Sequence, residues 1–387
     1  MRVLTKRLAG LCLVLLPVAA AGVAGPSTAS PSAAGGAAGS AAAPAADLRL
    51  IEAMAERDTA RMRVLLADEG LDVNAARADG ATALLWAAHW DDGAAVELLL
   101  GAGADVNAAD DHGVTPLARA CENASASMVE RLLAAGANPN AAQVNGLTPL
   151  MTAARTGSLE VVDALLARGA DPNARMTASD VTEQGFVRNG AFDTFATGTG
   201  DVAGATPLWV AAFATNPGPG RMRNGWSTHR STGDVLRSLL AAGAQPEIRS
   251  NDGTTPMMAA AGCGRWGHWT NTPRASRQPM AEEAFRILIA AGVDVNATNE
   301  GDFTALHCAA FSGLNELVQL LVEHGADIDA RDWRGRTAYR LAEGAKQSFH
   351  YQAWPEVAAL LAELGADTRL GIPGTIHERL RGLLAAR

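Results

Sequence analysis

The side chains best equipped for recognition chemistry crowd into three short stretches. One holds Arg221, Arg223, Trp226, His229 and Arg230, a second Arg265, Trp266, His268, Trp269, Arg274 and Arg277, and a third Lys346, Phe349, His350, Tyr351 and Trp354. Guanidinium forks grip carboxylates and phosphates, and indoles and phenols offer wide stacking faces, so this combination suits the binding of a ligand or partner. Residues 214–233 and 262–280 contain no acidic side chain and are each +3, in a chain whose formal charge is −9. Four of the eight tryptophans fall in these stretches, a density that a structureless linker would not carry. A second reading stays open, in which tryptophan and arginine pack the stretches onto neighbouring helix ends and pair with nearby carboxylates.

Constellations for bond-making chemistry are missing. The chain has no Cys-x-x-Cys, His-Glu-x-x-His, Gly-Lys-Ser/Thr phosphate loop or Gly-x-Ser-x-Gly elbow. Gly198, Gly200 and Gly204 share only a spacing with the dinucleotide fingerprint and lie outside any βαβ context. His229, His268 and His350 have no metal-ligand spacing. The expectation is a non-catalytic protein with no cofactor and no metal.

The elements that must position these stretches are repeats. A Thr-Pro-Leu-like tripeptide begins at Thr82, Thr115, Thr148, Thr206, Thr255, Thr304 and Thr337, with a period of 33 residues where nothing is inserted. A Gly-Ala-Asp-like signal follows each, at Gly103, Gly136, Gly169, Gly243, Gly292, Gly325 and Gly365. In the copy from Thr115, the threonine suits a helix cap and Pro116 the first helical position, Leu117, Ala118 and Ala120 form a narrow apolar face, and Val129, Leu132 and Leu133 stripe a second helix that Gly136 ends. Asn138-Pro139-Asn140 and Asn145-Gly146 are turn chemistry.

These two signals locked at one period make the chain resemble the ankyrin-repeat family over residues 47–374. The resemblance implies an all-α solenoid of about eight helix-turn-helix units with β-hairpin-like fingers. It also implies a binding surface whose ligand the repeats do not encode, and a structural hydrogen-bonding role for His307. Residues 47–80 read as an atypical first unit, with Leu50, Ala53, Met54, Val64, Leu65 and Leu66 in helical spacing, and residues 375–387 as a C-terminal capping helix.

Undecorated units place 21 residues between threonine and glycine, whereas Thr206 to Gly243 and Thr255 to Gly292 take 37 and Thr337 to Gly365 takes 28. The three aromatic and basic stretches are therefore insertions of 16, 16 and 7 residues between the first and second helices of repeats five, six and eight. Loops at equivalent places project from one edge, so they are expected to gather into one lobe. Arg221, Arg223, Trp226, Arg265, Trp266, His268, Trp269, Arg274, Tyr351 and Trp354 are the candidate contact residues. A further insertion, with Phe186, Phe192, Phe195 and Asn189-Gly190, reads as an elongated finger hairpin.

Arg2, Lys6 and Arg7 before an apolar run from Leu8 to Val18 and a small-residue tract read as a secretory signal peptide over residues 1–24. An Ala/Gly/Ser/Pro linker over 25–46 follows. Removing these residues takes away three basic and no acidic side chains, leaving −12. The expected mature chain is a periplasmic or secreted monomer that binds another protein or peptide, with no nucleic acid and no membrane insertion. The alternative is an envelope receptor whose insertion loops hold a small anionic or oligosaccharide ligand. Three cysteines would remain, Cys121, Cys263 and Cys308, an odd number that argues against a disulfide framework, with Cys121 and Cys308 as small buried hydrophobes.

Overall fold

The computed structural model describes residues 47–68, 70–178, 202–214, 232–263, 274–347 and 350–371, with residues 345–352 described by their backbone alone. The expected signal peptide and linker, the finger insertion around Phe186 to Phe195 and the capping segment 375–387 lie outside them.

Sixteen helices run through the described residues in pairs, one pair per repeat: α1 Arg49–Ala55 and α2 Thr59–Leu66; α3 Ala83–His89 and α4 Gly93–Gly101; α5 Pro116–Glu122 and α6 Ala126–Ala134; α7 Pro149–Thr156 and α8 Leu159–Ala167; α9 Pro207–Ala214 and α10 Thr232–Ala241; α11 Pro256–Ala261 and α12 Arg274–Ala290; α13 Ala305–Ser312 and α14 Asn315–Glu323; α15 Ala338–Glu343 and α16 Pro355–Glu363. This is the all-α repeat solenoid the periodicity predicts. From α3 onwards each first helix starts where a threonine hydroxyl accepts the backbone N–H three residues on, as from Ala118 to Thr115 at 3.2 Å and from Met258 to Thr255 at 3.2 Å. One apolar core runs through the stack, from Leu50 and Met54 past Leu132, Leu165 and Leu236 to Leu361.

Three sets of hydrogen bonds tie neighbouring repeats, the third in repeats five, seven and eight. At the fingertips a backbone N–H reaches the preceding tip: Val144 to the His112 carbonyl at 3.0 Å, Thr177 to Asn145 at 2.9 Å, Trp333 to Gly301 at 3.1 Å. Just past the second helices stands a ladder of side chains. Asn107 accepts from the Asn138 N–H at 2.8 Å and donates to the Gly136 carbonyl at 3.2 Å, and Asn74, Asn140, Asn173 and Asn296 do the same in their repeats. Glu247 and Asp329 occupy the equivalent rungs and only accept, from Asp294 and Asp367.

The third tie comes from the residue three places after the threonine. His307 is buried, its Nδ1 accepting from Thr304 and its Nε2 facing the Arg336 carbonyl at 3.2 Å. Burial pushes its pKa down, which keeps the ring neutral and suits one accepting and one donating nitrogen. In repeat five the same place holds Trp209, whose Nε1 donates to the Thr254 carbonyl at 3.0 Å. In repeat eight it holds Arg340, which donates to the Leu370 and Thr368 carbonyls at 2.8 and 2.6 Å.

Four features differ from the sequence expectations. Cys263 and Cys308 form a disulfide, both residues buried and their Cα atoms 5.1 Å apart, and Cys121 stays a buried thiol. An odd cysteine count says that one must be left over and says nothing about the other two. Gly262, at φ +101°, ends α11 in the left-handed region and turns Cys263 towards α13 of the next repeat. The second half of the repeat-six insertion is helix, lengthening α12 to 17 residues with Pro279 inside it. The repeat-eight insertion is an antiparallel hairpin, Ala345–Gln347 (β1) against His350–Gln352 (β2). Val64, placed by spacing with the apolar residues of the first unit, is 74% exposed, and Met62 fills the inward place on α2 instead.

Opening the disulfide is expected to cost about 2–4 kcal/mol, because the bond closes a long loop in the unfolded chain. Dithiothreitol should lower the urea midpoint of the oxidised protein to that of Cys263→Ser. An unchanged midpoint on reduction would show that the bond adds nothing to stability.

Candidate protein-binding surface

Of the ten candidate contact residues, Arg221, Arg223, Trp226, Arg265, Trp266, His268 and Trp269 lie outside the described residues, and Tyr351 is placed only by its backbone, opposite Lys346 in the hairpin. The structure brings the other two together. The Arg274 guanidinium sits 5.2 Å from the centre of the Trp354 ring and its Nη1 is 2.5 Å from Glu356 Oε1. Arg274 opens α12 in repeat six and Trp354 precedes α16 in repeat eight, so this contact spans the short loop of repeat seven. Trp354 is anchored to that loop: its Nε1 donates to the Phe311 carbonyl at 2.9 Å, and its ring covers Gly313, where a Cβ would come within 2.6 Å of it. Trp354 thus packs the edge together, while Arg274, partly exposed, carries the positive charge. Burial and Arg274 depress the pKa of Arg277, one turn further along α12. Arg277 is only 7% exposed and its Nε has no hydrogen-bond partner.

A second surface escaped the sequence reading. Trp86 Nε1, Arg119 Nε and Thr152 Oγ1 are buried polar atoms without partners, and each belongs to the residue four places after the threonine in three consecutive repeats. Residues three and four further along a helix share its face, which adds His89 and the cap residue Trp90 at the end of α3, Glu122 and the cap residue Asn123 at the end of α5, and Arg155 on α7. On α3 this face is aromatic. Trp86 and Trp90 stack with centroids 6.3 Å apart, His89 meets both edge-on at 5.7 and 4.8 Å, and the Arg57 guanidinium lies 5.8 Å from the Trp90 ring centre. Arg119 pairs with Glu122 at 2.8 Å and Asp110 at 3.9 Å.

Among the described residues the exposed large hydrophobic side chains besides Val64 are Trp90, Val144 and Trp333. Trp90 ends a first helix, and Val144 and Trp333 sit on fingertips, with the Arg334 guanidinium 4.5 Å from the Trp333 ring centre. The signal that could have found them is position: a tryptophan where the repeat pattern demands no particular residue is free of a packing duty. Within the described residues no group of three metal-ligating side chains gathers, and no helix is long and apolar enough to cross a membrane.

Stacked helix pairs, threonine-capped first helices and fingers bonded tip to tip define the architecture that the repeat signature implies. A sequence profile described as Ankyrin repeats (3 copies) matches residues 50–143, 95–176 and 274–370, together more than half of the chain. The chain belongs to the ankyrin-repeat family. Such repeats generally mediate protein–protein interaction, and proteins built from them are typically non-catalytic scaffolds. Similar proteins include Ankyrin repeat and SOCS box protein 16 of Homo sapiens, 34% identical over 145 residues, which are 36% of this chain and 28% of that protein. Protein phosphatase 1 regulatory subunit 27 of Mus musculus is 36% identical over 91 residues, 24% of this chain and 54% of the relative. The B-cell lymphoma 3 protein homolog of Mus musculus is 39% identical over 128 residues, 33% of this chain and 22% of the relative. The chain therefore spans between 22% and 54% of the length of these three relatives.

Proposed function

We propose that the chain is an exported, non-catalytic scaffold that binds another protein or peptide through its fingertips, the open face of its first helices and the edge that carries the insertions. The observation that carries this reading is the placement of exposed tryptophan. Trp90 and Trp333 spread over a first-helix end and a fingertip, as an extended partner surface requires, and each is flanked by an arginine. Export draws support from the buried Cys263–Cys308 disulfide, since such bonds persist in oxidising compartments. The charge of −9 makes nucleic acid and anionic membrane poor partners. The remaining insertion residues, Arg221, Arg223, Trp226, Arg265, Trp266, His268, Trp269 and Tyr351, belong to the same proposed surface.

Affinity capture of the mature protein from its native compartment supplies the partner, and the N-terminal sequence of that mature protein tests export. Trp90→Ala and Trp333→Ala should then each weaken binding by about 1–3 kcal/mol while leaving the unfolding midpoint unchanged. Full affinity in both variants would remove the fingers and first helices from the interface. The alternative of a small anionic or oligosaccharide ligand at the insertions is favoured by one observation, the buried Arg277 Nε without a hydrogen-bond partner.

A further inference from the structure

A guanidinium taken out of water keeps its charge and loses its hydration, so a buried one is normally met by a carboxylate and several acceptors. Among the described residues the other well-buried arginines obey that rule. Arg336 lies against Asp332 at 2.7 Å, and Arg340 holds Glu343 at 2.5 Å along with two carbonyls. Arg277 is as buried as they are, and among the described residues no carboxylate or carbonyl meets it. The acids on hand are engaged elsewhere: Glu356 with Arg274, and Glu282 with Gln278 at 3.2 Å and Arg286 at 3.6 Å. The charge that acts on it is a second cation, Arg274. On α14, the helix packed beside α12, Asn315 has a buried side-chain oxygen that no donor reaches. This edge therefore holds an unmet cation on one helix and an unmet acceptor at the start of the next, next to the loop that Trp354 covers.

We infer that Arg277 anchors a carboxylate-binding site on the edge of repeats six and seven, with Arg274 adding positive charge at its mouth. The inference deepens the scaffold reading, on which it rests for the source of the carboxylate: an acidic residue or C-terminus of the bound partner. A planar carboxylate matches the two parallel N–H donors of a guanidinium, and a peptide amide beside it supplies the donor that Asn315 lacks. A free small carboxylate has the first of these chemistries and not the second.

The test uses the full mature chain and measures its melting temperature in sodium succinate, sodium acetate and sodium phosphate against sodium chloride at equal ionic strength. Succinate and acetate should raise the melting temperature by a few degrees, saturating with concentration, since a ligand that binds only the folded state stabilises it. Arg277→Met should abolish that rise. In chloride alone Arg277→Met should melt no lower than the parent, because methionine fills the space of the buried stem without an uncompensated charge. Arg277→Lys should keep a weakened response. A lower melting temperature for Arg277→Met in chloride would overturn the proposal by showing that the guanidinium already serves a structural partner. So would a rise with phosphate and none with the carboxylates. Against the captured partner, Arg277→Met should lose at least tenfold in affinity. Partner binding that falls with Trp90→Ala and is untouched by Arg277→Met would leave the scaffold reading standing and remove this site from it. A succinate response in a chain that captures no partner would leave the site standing for free carboxylates and remove the scaffold reading.

Discussion

Replacing Trp209 by alanine is expected to destabilise the protein by about 3–5 kcal/mol, the range for emptying a buried indole site. The side chain is 2% exposed, stacks on Phe213 with centroids 5.0 Å apart, and donates its one hydrogen bond across the junction to Thr254. Its loss therefore opens a cavity and cuts a tie between repeats five and six. Trp209→Phe separates the two effects, because it keeps most of the volume and removes only the donor. It should cost about 0.5–1.5 kcal/mol, all the more modest because Ser250 also donates to the Thr254 carbonyl. Urea denaturation measures both. A loss below about 1 kcal/mol for the alanine variant would mean that the stack relaxes to fill the site.

A second large effect is expected at Asp332. Its carboxylate is fully buried, takes the Arg336 Nε and Nη2 at 2.8 and 2.7 Å, and accepts the N–H groups of Arg334 and Arg336 at 3.0 and 2.8 Å. The Arg336 carbonyl in turn faces His307. Asp332→Ala leaves a guanidinium buried without its counter-charge and unties the fingertip, for a loss of about 3–5 kcal/mol. Asp332→Asn keeps acceptors for the two N–H groups and should lose less. Equal losses for the two variants in urea would show that the charge pair contributes little and the turn contributes all.

What the sequence made legible is what chain neighbours decide. A threonine caps the helix that begins beside it, a glycine ends the helix before it, and a period of 33 residues gives the stack. Ties between repeats were read only where the residue type matched the family pattern. His307 was legible for that reason, while Trp209 and Arg340 were not, although all three reach a carbonyl of the next finger from the same place in the repeat. The requirement there is a donor of sufficient reach, and one-letter patterns do not express reach. Likewise the basic, aromatic composition of the insertions pointed to Arg274 and Trp354, which do meet. Composition could not say that Trp354 spends its indole N–H on Phe311, or that Arg277 goes inward and finds no partner. The Cys263–Cys308 pair depends on how α11 ends against α13, a distance between repeats that a residue count does not contain.

The asparagine ladder makes the array mechanically uneven. An asparagine rung clamps the neighbouring repeat from both sides of a turn, one bond in and one bond out, whereas Glu247 and Asp329 can only receive. Two junctions, between repeats five and six and between seven and eight, thus lose one ladder bond each, and they are the junctions that Trp209 and His307 tie from the first helices. They bracket the two repeats that the disulfide sews together. In a linear array where each unit is coupled only to its neighbours, the couplings at each junction set the cooperativity. Where a ladder rung weakens, a donor from the first helix takes over, so the edge that holds Arg277 rides on a covalently closed pair of repeats whose outer junctions are clamped by Trp209 and His307.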